Sequence, residues 1–147
     1  MSRTFLLDVN VLVALTWAGH VHHSAAHAWM HAEPRRRWAS CPFTECGLIR
    51  ILSNAKKTPG GGHLPDAFVS LQKARDFPGH SFWPDDYSPA DEPLFGQLQG
   101  HNQITDAYLL CLAKRRKGVL ATFDAGIQTL ARDLLGDEKR VLLIPAD

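Results

Sequence analysis

The amino-acid sequence predicts an α/β fold, a three-layer sandwich in which helices flank a central parallel sheet. The length of 147 residues fits one domain, and the hydrophobic content of 45% and charged content of 21% are those of an ordinary globular protein. Short apolar runs alternate along the chain with longer segments of helical periodicity. Strands that alternate with helices pair in parallel and are covered on both faces, so this order favours the sandwich. We expect residues 1–147 to form one such domain.

The first half of the chain is predicted to contain two strands and three helices. Thr4–Leu7 is short and apolar, as a buried strand is, whereas Phe43–Asn54 carries Leu48, Ile49 and Leu52 at helical spacing. In chain order the predicted elements are the strand Thr4–Leu7, the helices Val9–Ala18 and Ser24–Ala32, the strand Trp38–Cys41 and the helix Phe43–Asn54. Proline and glycine in KKTPGGGHLP then exclude regular structure, and this stretch is predicted as a loop within the domain.

The second half continues the alternation. Pro65–Arg75 is predicted as a helix, HSFWP as a strand ended by Pro84, and DDYSPADEPLFGQL as a turn and a short helix beginning near Ser88 or Asp91. Thr105 is predicted to cap the helix DAYLLCLAKRRK, whose last turn carries cations that the helix dipole favours there. The strand GVLATF, the helix AGIQTLARDLL and the strand VLLIP complete the pattern.

Charge and cysteine usage are those of an ordinary intracellular protein. The formal net charge is +1, which does not single out a nucleic-acid partner. Cys41, Cys46 and Cys111 contain no C-x-x-C pair, so we expect reduced thiols and a cytoplasmic location. Asp8 and Asn10 interrupt the first apolar stretch, which argues against a signal sequence. Because no apolar run approaches the roughly 20 residues that span a bilayer, no membrane association is expected.

Four acidic residues fall where the carboxyl ends of parallel strands meet the helices that follow them. Asp8 ends the first strand, Glu45 lies in the first turn of the helix after the second, and Asp124 ends the strand GVLATF. Asp106 is predicted as the first or second residue of the helix capped by Thr105. Sites in open parallel sheets form at the carboxyl ends of the strands, so we expect all four carboxylates at one edge.

Two interpretations of these carboxylates are open at this point. Each one could serve only as a helix cap or favour a helix dipole, with Asp8 and Asp124 as N-caps. Four carboxylates at one edge also repel one another, however, and this raises their pKa values unless a cation neutralises them. Magnesium prefers oxygen ligands and can activate water beside a phosphoryl group. No nucleophile triad or phosphate-binding G-x-x-x-x-G-K-[ST] motif is evident, so metal-assisted phosphodiester cleavage is the favoured chemistry.

Segments spread over almost the whole chain resemble a known family, in the family's order. They are FLLDVNVLVAL, PFTECGLIRIL, GHNQITDAYLLCLAKRRKGVLATFD and VLLIP, and PGHSFWPDD resembles a segment found in one branch of the family. The chain resembles a PIN domain of the VapC type, the toxin of a VapBC toxin–antitoxin system. This resemblance implies a PIN-like three-layer fold and an endoribonuclease that hydrolyses RNA phosphodiester bonds with a metal-activated water.

The resemblance also implies the residues of the site. The catalytic and metal-binding carboxylates would be Asp8, Glu45, Asp106 and Asp124. The cofactor would be Mg²⁺ or Mn²⁺. Asn10 and Thr122 take the positions of small polar residues beside the site, and Arg50 matches a basic residue on the helix that carries the glutamate. Lys56 and Lys57, beside the glycine-rich loop, are predicted RNA contacts because phosphate contacts dominate affinity for nucleic acids. The implied partners are RNA, a second copy of the chain in a homodimer, and a cognate VapB-type antitoxin.

Two other functions stay open, and one histidine cluster needs an interpretation. A phosphatase or phosphoacceptor would use Asp8 as its nucleophile, although Asn10 stands where haloacid-dehalogenase-type enzymes have a second aspartate. A catalytically silent RNA-binding module would have lost one of the four acidic residues, and all are present. His23, His27 and His31 recur every four residues on the predicted second helix. We interpret them as a solvated or partner-facing surface, since no cysteine or carboxylate completes a metal site.

Overall fold

The computed structural model describes residues 3–146, and these form five β-strands and six α-helices. The strands are β1 (Phe5–Leu7), β2 (Trp38–Ser40), β3 (His80–Phe82), β4 (Val119–Thr122) and β5 (Val141–Leu143). The helices are α1 (Val9–Thr16), α2 (His23–His31), α3 (Pro42–Leu52), α4 (Leu64–Arg75), α5 (Ile104–Arg115) and α6 (Ala125–Leu135). Every predicted strand and long helix is present, with ends that differ by a few residues at most. In this part of the chain, no helix is long and apolar enough to cross a membrane.

The strands form one parallel sheet in the order β3-β2-β1-β4-β5. Successive side chains of a strand point to opposite faces of a sheet, and the two faces are covered by different helices. Leu6 lies in the core that β1 shares with α5 and α6, whereas Leu7 lies in the core formed with α1 to α4. Both residues are completely buried. The structure therefore confirms the predicted three-layer α/β sandwich.

The first helix is two residues shorter than predicted. The hydroxyl of Thr16 donates a hydrogen bond to the carbonyl of Leu12 at 2.8 Å, and Trp17 then adopts an extended backbone. A threonine that bonds back into the preceding turn competes with the helical pattern, which favours termination here. Trp17 and Ala18 consequently lie in the connection to α2 instead of in α1.

The predicted cap of α5 is wrong. A 3₁₀ turn, His101–Gln103, leads directly into the helix, so α5 begins at Ile104, and Gln103 at the N-cap position makes no capping bond through its side chain. Thr105 therefore lies inside the first turn, and Asp106 is the third helical residue. The predicted bounds of α6 are confirmed.

The segment between β3 and α5 contains two short 3₁₀ helices before the His101–Gln103 turn, where one short helix was predicted. They span Pro89–Asp91 and Pro93–Gln97. Each begins with proline after a capping side chain, since Ser88 accepts from the backbone of Ala90 and Glu92 accepts from that of Leu94. The second proline lacks an N–H group, and this favours two short turns over one continuous α-helix.

Candidate active site

Asp8 connects the end of β1 to the start of α1. Its Oδ1 accepts the backbone N–H of Val9 at 2.8 Å, and its Oδ2 accepts the hydroxyl of Thr122 at 2.8 Å. The residue is 8% exposed. Burial raises the pKa of Asp8, and so does the nearby charge of Asp124, while the two hydrogen bonds act in the opposite direction. Asp8 is thus both a helix cap and a carboxylate that resists ionisation.

Thr122 and Asn10 bind the ends of β1 and β4 together around this carboxylate. Thr122 Oγ1 accepts from Asn10 Nδ2 at 3.3 Å and from the backbone N–H of Asp124 at 3.1 Å. Asn10 Oδ1 accepts the backbone N–H of Phe123 at 3.4 Å. Thr122 Oγ1 accepts the bonds from Asn10 and from Asp124, so its single hydroxyl proton is directed to Asp8. Both small polar residues that the sequence indicated lie directly beside Asp8.

Asp106 and Asp124 reach the same place from α5 and α6. Asp124 caps α6 by accepting the backbone N–H of Gly126 at 2.8 Å. Burial raises the pKa of Asp106 to about 6, and the charges of Asp8 and Asp124 contribute to this rise. The three carboxylates therefore repel one another, and a cation placed among them would relieve that repulsion.

These three aspartates line an open cleft of about 440 Å³. The full lining is Asp8, Val9, Asn10, Val13, Trp17, His20, Ile51, Lys57, Asp106 and Asp124. Lys57, predicted from the sequence as an RNA contact, lies in the wall of the cleft. Lys56 and Arg50 are exposed, and neither is among the described residues that line the cleft.

Glu45 has a separate set of partners. Its Oε2 accepts the hydroxyl of Ser40 at 2.6 Å, and its Oε1 lies 3.9 Å from Arg75 Nη1. It is not among the residues that line the cleft. The residue that α3 contributes to the lining is Ile51, whereas Glu45, near the start of the same helix, faces Ser40 of β2.

Two cleft residues, Trp17 and His20, were not singled out from the sequence. Val9, Val13 and Trp17 are four residues apart and share one side of α1 and its extension, so helical spacing from Val9 was a usable signal for Trp17. His20 lies in a turn, where no periodic pattern could have located it. Its ring lies 6.4 Å from that of Trp17, edge to face, and burial together with neighbouring histidines lowers its pKa.

The donor atoms of the cleft fit a hard divalent cation that retains water. All three acidic residues offer carboxylate oxygens, the ligand type that Mg²⁺ and Mn²⁺ prefer. Within residues 3–146, no three His, Cys, Asp or Glu side chains converge closely enough to complete a metal centre by themselves. A cation at this place would therefore need further oxygen ligands from water or from a phosphate.

The histidines of α2 stabilise the connection to α1. Nδ1 of His23 lies 2.7 Å from the carbonyl of Ala14, and Nε2 of His27 lies 2.9 Å from the carbonyl of Leu15. These carbonyls belong to the last turn of α1, which has no later helical N–H groups to bind. The interpretation of this stripe as a solvated or partner-facing surface is therefore wrong for these two residues, while His31 is exposed.

Comparison with known proteins identifies a family and several relatives. Residues 5–133 match the model of the PIN domain. Ribonuclease VapC38 of Mycobacterium tuberculosis (strain ATCC 25618 / H37Rv) is 46% identical over 129 aligned residues, and the match covers 86% of this chain and 89% of that protein. Ribonuclease VapC29 of the same species (strain CDC 1551 / Oshkosh) is 40% identical and covers 89% and 93% of the two chains.

One of the solved structures that share the fold is a domain of a functionally unknown protein from Methanocaldococcus jannaschii DSM 2661. It aligns with a TM-score of 0.55 and 16% sequence identity. The alignment covers 99% of this chain and 94% of the other. At this level of identity, the similarity concerns the arrangement of strands and helices alone.

Proposed function

This chain belongs to the PIN domain family, and from that membership we propose that it is a VapC-type endoribonuclease, the toxin of a type II toxin–antitoxin pair. Its reaction is the hydrolysis of RNA phosphodiester bonds and depends on a divalent metal. The observation that carries the proposal is the group of three mutually repelling carboxylates, Asp8, Asp106 and Asp124, in a cleft that also contains Lys57. An aspartyl-phosphate mechanism is not favoured, because Asn10 stands where haloacid-dehalogenase-type enzymes have a second aspartate.

The cofactor in this proposal is Mg²⁺ or Mn²⁺, held by Asp8, Asp106 and Asp124. The ion supplies Lewis-acid chemistry, which polarises the attacking water and stabilises charge on the phosphate. Thr122 fixes the orientation of Asp8, and Asn10 fixes Thr122. Glu45 completes the catalytic set of four as the carboxylate closest to α4, where Arg75 partly balances its charge.

The cleft also provides groups for a nucleic-acid strand. Lys57 lines the same cleft as the three carboxylates, so it would bind a phosphate of an RNA strand that lies in this cleft. Trp17 and His20 give the cleft a partly aromatic wall, and unpaired bases stack on such side chains. We therefore assign single-stranded or looped RNA as the substrate class. In this proposal Lys56 and Arg50 contact RNA or support the site only from outside the cleft.

The partners follow from the same assignment. A VapB-type antitoxin silences the enzyme, and a cationic segment of it would be complementary to the three carboxylates. We also propose a homodimer, as the resemblance to VapC toxins implies; exposed large apolar side chains, among them Phe43, Phe82 and Ile104, are available for such a contact. The chain acts as one PIN-like domain, residues 1–147, in the cytoplasm, where its RNA substrate is found.

Cleavage of cellular RNA tests the proposal directly. The purified protein is incubated with total cellular RNA and either Mg²⁺ or Mn²⁺, and the new 5′ ends are sequenced. We expect new 5′ ends at a restricted set of sites with the native protein and none with EDTA or with Asp8→Asn.

Asp91→Asn is the matched control, since it removes the same charge from an exposed position outside the cleft. It should cleave at the same sites as the native protein. Equal cleavage by native protein and Asp8→Asn would overturn the assignment of the site, and the absence of any metal-dependent cleavage would overturn the assigned activity.

A further inference from the structure

We propose that Ser40 and His80 are positioning residues, which orient the carboxylate of Glu45 through a chain of hydrogen bonds from β3 through β2 to α3. The inference rests on the proposed function, because it assigns to Glu45 a place in the ribonuclease site. Ser40 lies outside the family segments quoted above, and His80 lies in PGHSFWPDD, which contains none of the four acidic residues.

The two hydrogen bonds of this series are short, and the central residue, Ser40, is buried. Ser40 Oγ lies 2.6 Å from Glu45 Oε2 and 2.8 Å from His80 Nε2. Ser40 is 1% exposed and Glu45 is 9% exposed. At these distances both contacts are hydrogen bonds; the bond between Ser40 and Glu45 is buried, and the bond between Ser40 and His80 is partly buried.

The sheet register brings the two strand residues together. His80 pairs with Trp38 across the β2–β3 ladder, and Ser40 lies two residues beyond Trp38 on the same face. Such diagonal neighbours are within reach of a long side chain such as histidine. The His80 ring also packs against the Trp38 ring, with 4.5 Å between the centroids, which restricts its rotation.

The number of protons available decides which atom donates in each of the two hydrogen bonds. A serine hydroxyl has one proton and two lone pairs, whereas an ionised carboxylate can only accept. The proton of Ser40 must therefore point to Glu45. Ser40 must in turn accept from His80, so His80 carries its proton on Nε2. Burial and the charge of Arg75 lower the pKa of His80, whereas the charge of Glu45 acts in the opposite direction; the Nε2–H donor is present in the neutral and the charged ring alike.

The remaining contact of Glu45 does not orient it as firmly. Arg75 Nη1 is 3.9 Å from Glu45 Oε1, and the arginine side chain is 46% exposed. An ion pair of this length at a half-exposed site contributes little. The rotamer of Glu45 therefore depends mainly on Ser40, and the hydroxyl of Ser40 depends on His80.

Matched substitutions test this chain in the full-length protein. Ser40→Ala removes the donor to Glu45, while Ser40→Thr retains it; His80→Leu removes the donor to Ser40, while His80→Gln retains an N–H group at a similar distance. The substrate is an RNA oligonucleotide spanning a site mapped with the native protein. We expect Ser40→Ala to lower kcat by about tenfold or more with little change in KM, as is typical when a group that orients a catalytic ligand is removed.

The activities of the other variants should reflect that Ser40 orients Glu45 and that His80 orients Ser40. His80→Leu should lower kcat less, and the Ser40→Ala/His80→Leu double variant should be no slower than Ser40→Ala alone, because His80 acts only through Ser40. Ser40→Thr and His80→Gln should recover most of the activity. Ser81→Ala, an exposed change on the neighbouring strand, should behave as the native protein.

A spectroscopic readout on the metal-free protein is independent of catalysis. In a sample labelled with ¹⁵N-histidine, the His80 signals, identified by their loss in His80→Gln, should show the proton on Nε2. In Ser40→Ala this preference should weaken. If the proton of a neutral His80 ring were on Nδ1 in the native protein, Nε2 would accept the hydroxyl proton of Ser40 instead of donating to Ser40, and the inference would be overturned.

The outcomes separate this inference from the proposed function. If Glu45→Gln cleaves normally, Glu45 has no part in the site and the proposed four-carboxylate set is wrong. If Glu45→Gln is inactive while Ser40→Ala retains the native kcat, the site stands and the positioning role is refuted. Independent, additive losses in the double variant would also refute it.

Discussion

Substitution of Asp106 by asparagine should inactivate the protein and at the same time stabilise its metal-free fold. Asp106 lies at the third position of α5, and no hydrogen bond of its carboxylate is present among the described residues. Its carboxylate is half-buried and faces the charges of Asp8 and Asp124. Asparagine keeps the size and shape of the side chain but removes the charge that creates this repulsion.

The expected size of the effect follows from the pKa. A rise in the pKa of Asp106 from 3.8 to about 6 corresponds to about 3 kcal/mol of unfavourable free energy in the ionised folded state. Solvent screening at a half-exposed side chain reduces this to about 1 kcal/mol. Loss of the favourable interaction with the N-terminal dipole of α5 subtracts about 0.5 kcal/mol. The net stabilisation of about 0.5 kcal/mol or more at neutral pH raises the melting temperature by about 2 °C.

The effect should depend on pH with a definite sign. Below pH 3.8 the carboxyl group is protonated in the folded and the unfolded chain, so the repulsion is absent. Between pH 3.8 and about 6 the unfolded chain has lost this proton while the folded chain retains it, so the native protein loses stability relative to the variant as pH rises. Above about pH 6 the difference is complete.

Urea unfolding in EDTA measures this at pH 4.5, 6 and 7.5, with Asp91→Asn as the matched loss of one charge. We expect the advantage of Asp106→Asn to increase over this range and that of Asp91→Asn to remain small. A variant that is clearly less stable than the native protein at pH 7.5 would refute the repulsion and favour a purely helix-stabilising role for Asp106.

Two further predictions concern the metal and the substrate. Millimolar Mg²⁺ or Mn²⁺ should raise the melting temperature of the native protein, because an ion at tenfold excess over its Kd stabilises the folded state by about 1.4 kcal/mol. The melting temperature of Asp106→Asn should be nearly unchanged. An equal rise in both proteins would place the ion elsewhere. In an inactive Asp8→Asn background, Lys57→Gln should weaken RNA binding several-fold and reduce the salt dependence by about one phosphate contact, whereas Lys56→Gln should have the smaller effect because Lys56 lies outside the cleft. Equal losses in fluorescence-anisotropy titrations would contradict the assignment of Lys57.

Much of the fold could be predicted because it depends on local patterns. Short apolar runs and helical periodicity located all five strands and all six helices of the part of the chain that the structure describes. The errors lie at element ends, where competing hydrogen bonds decide. Thr16 bonds back to Leu12 and shortens α1, and the 3₁₀ turn before Ile104 displaces Thr105 from the cap of α5. Such bonds depend on backbone geometry that residue spacing does not specify.

Part of the candidate site could also be predicted from the sequence, and part of it could not. Sequence position was sufficient to predict that Asp8, Asp106 and Asp124 approach one another, because parallel strands bring their carboxyl ends to one edge. It could not predict that the Glu45 side chain bonds to Ser40, since that contact depends on how α3 packs against the end of β2. It also gave no indication of His20, which reaches the cleft from a turn.

The sequence by itself determined the layer architecture, the family and the chemical character of the site, because hydrophobic periodicity and the types of residue at strand ends are properties of the chain. The tertiary structure alone decided which groups meet: Lys57 and Trp17 beside three carboxylates, and His80 beside Ser40 and Glu45. These contacts join residues that are distant in the chain. Their distances follow from the packing of helices on a twisted sheet, and small differences in that packing determine whether a hydrogen bond of 2.6–2.8 Å forms.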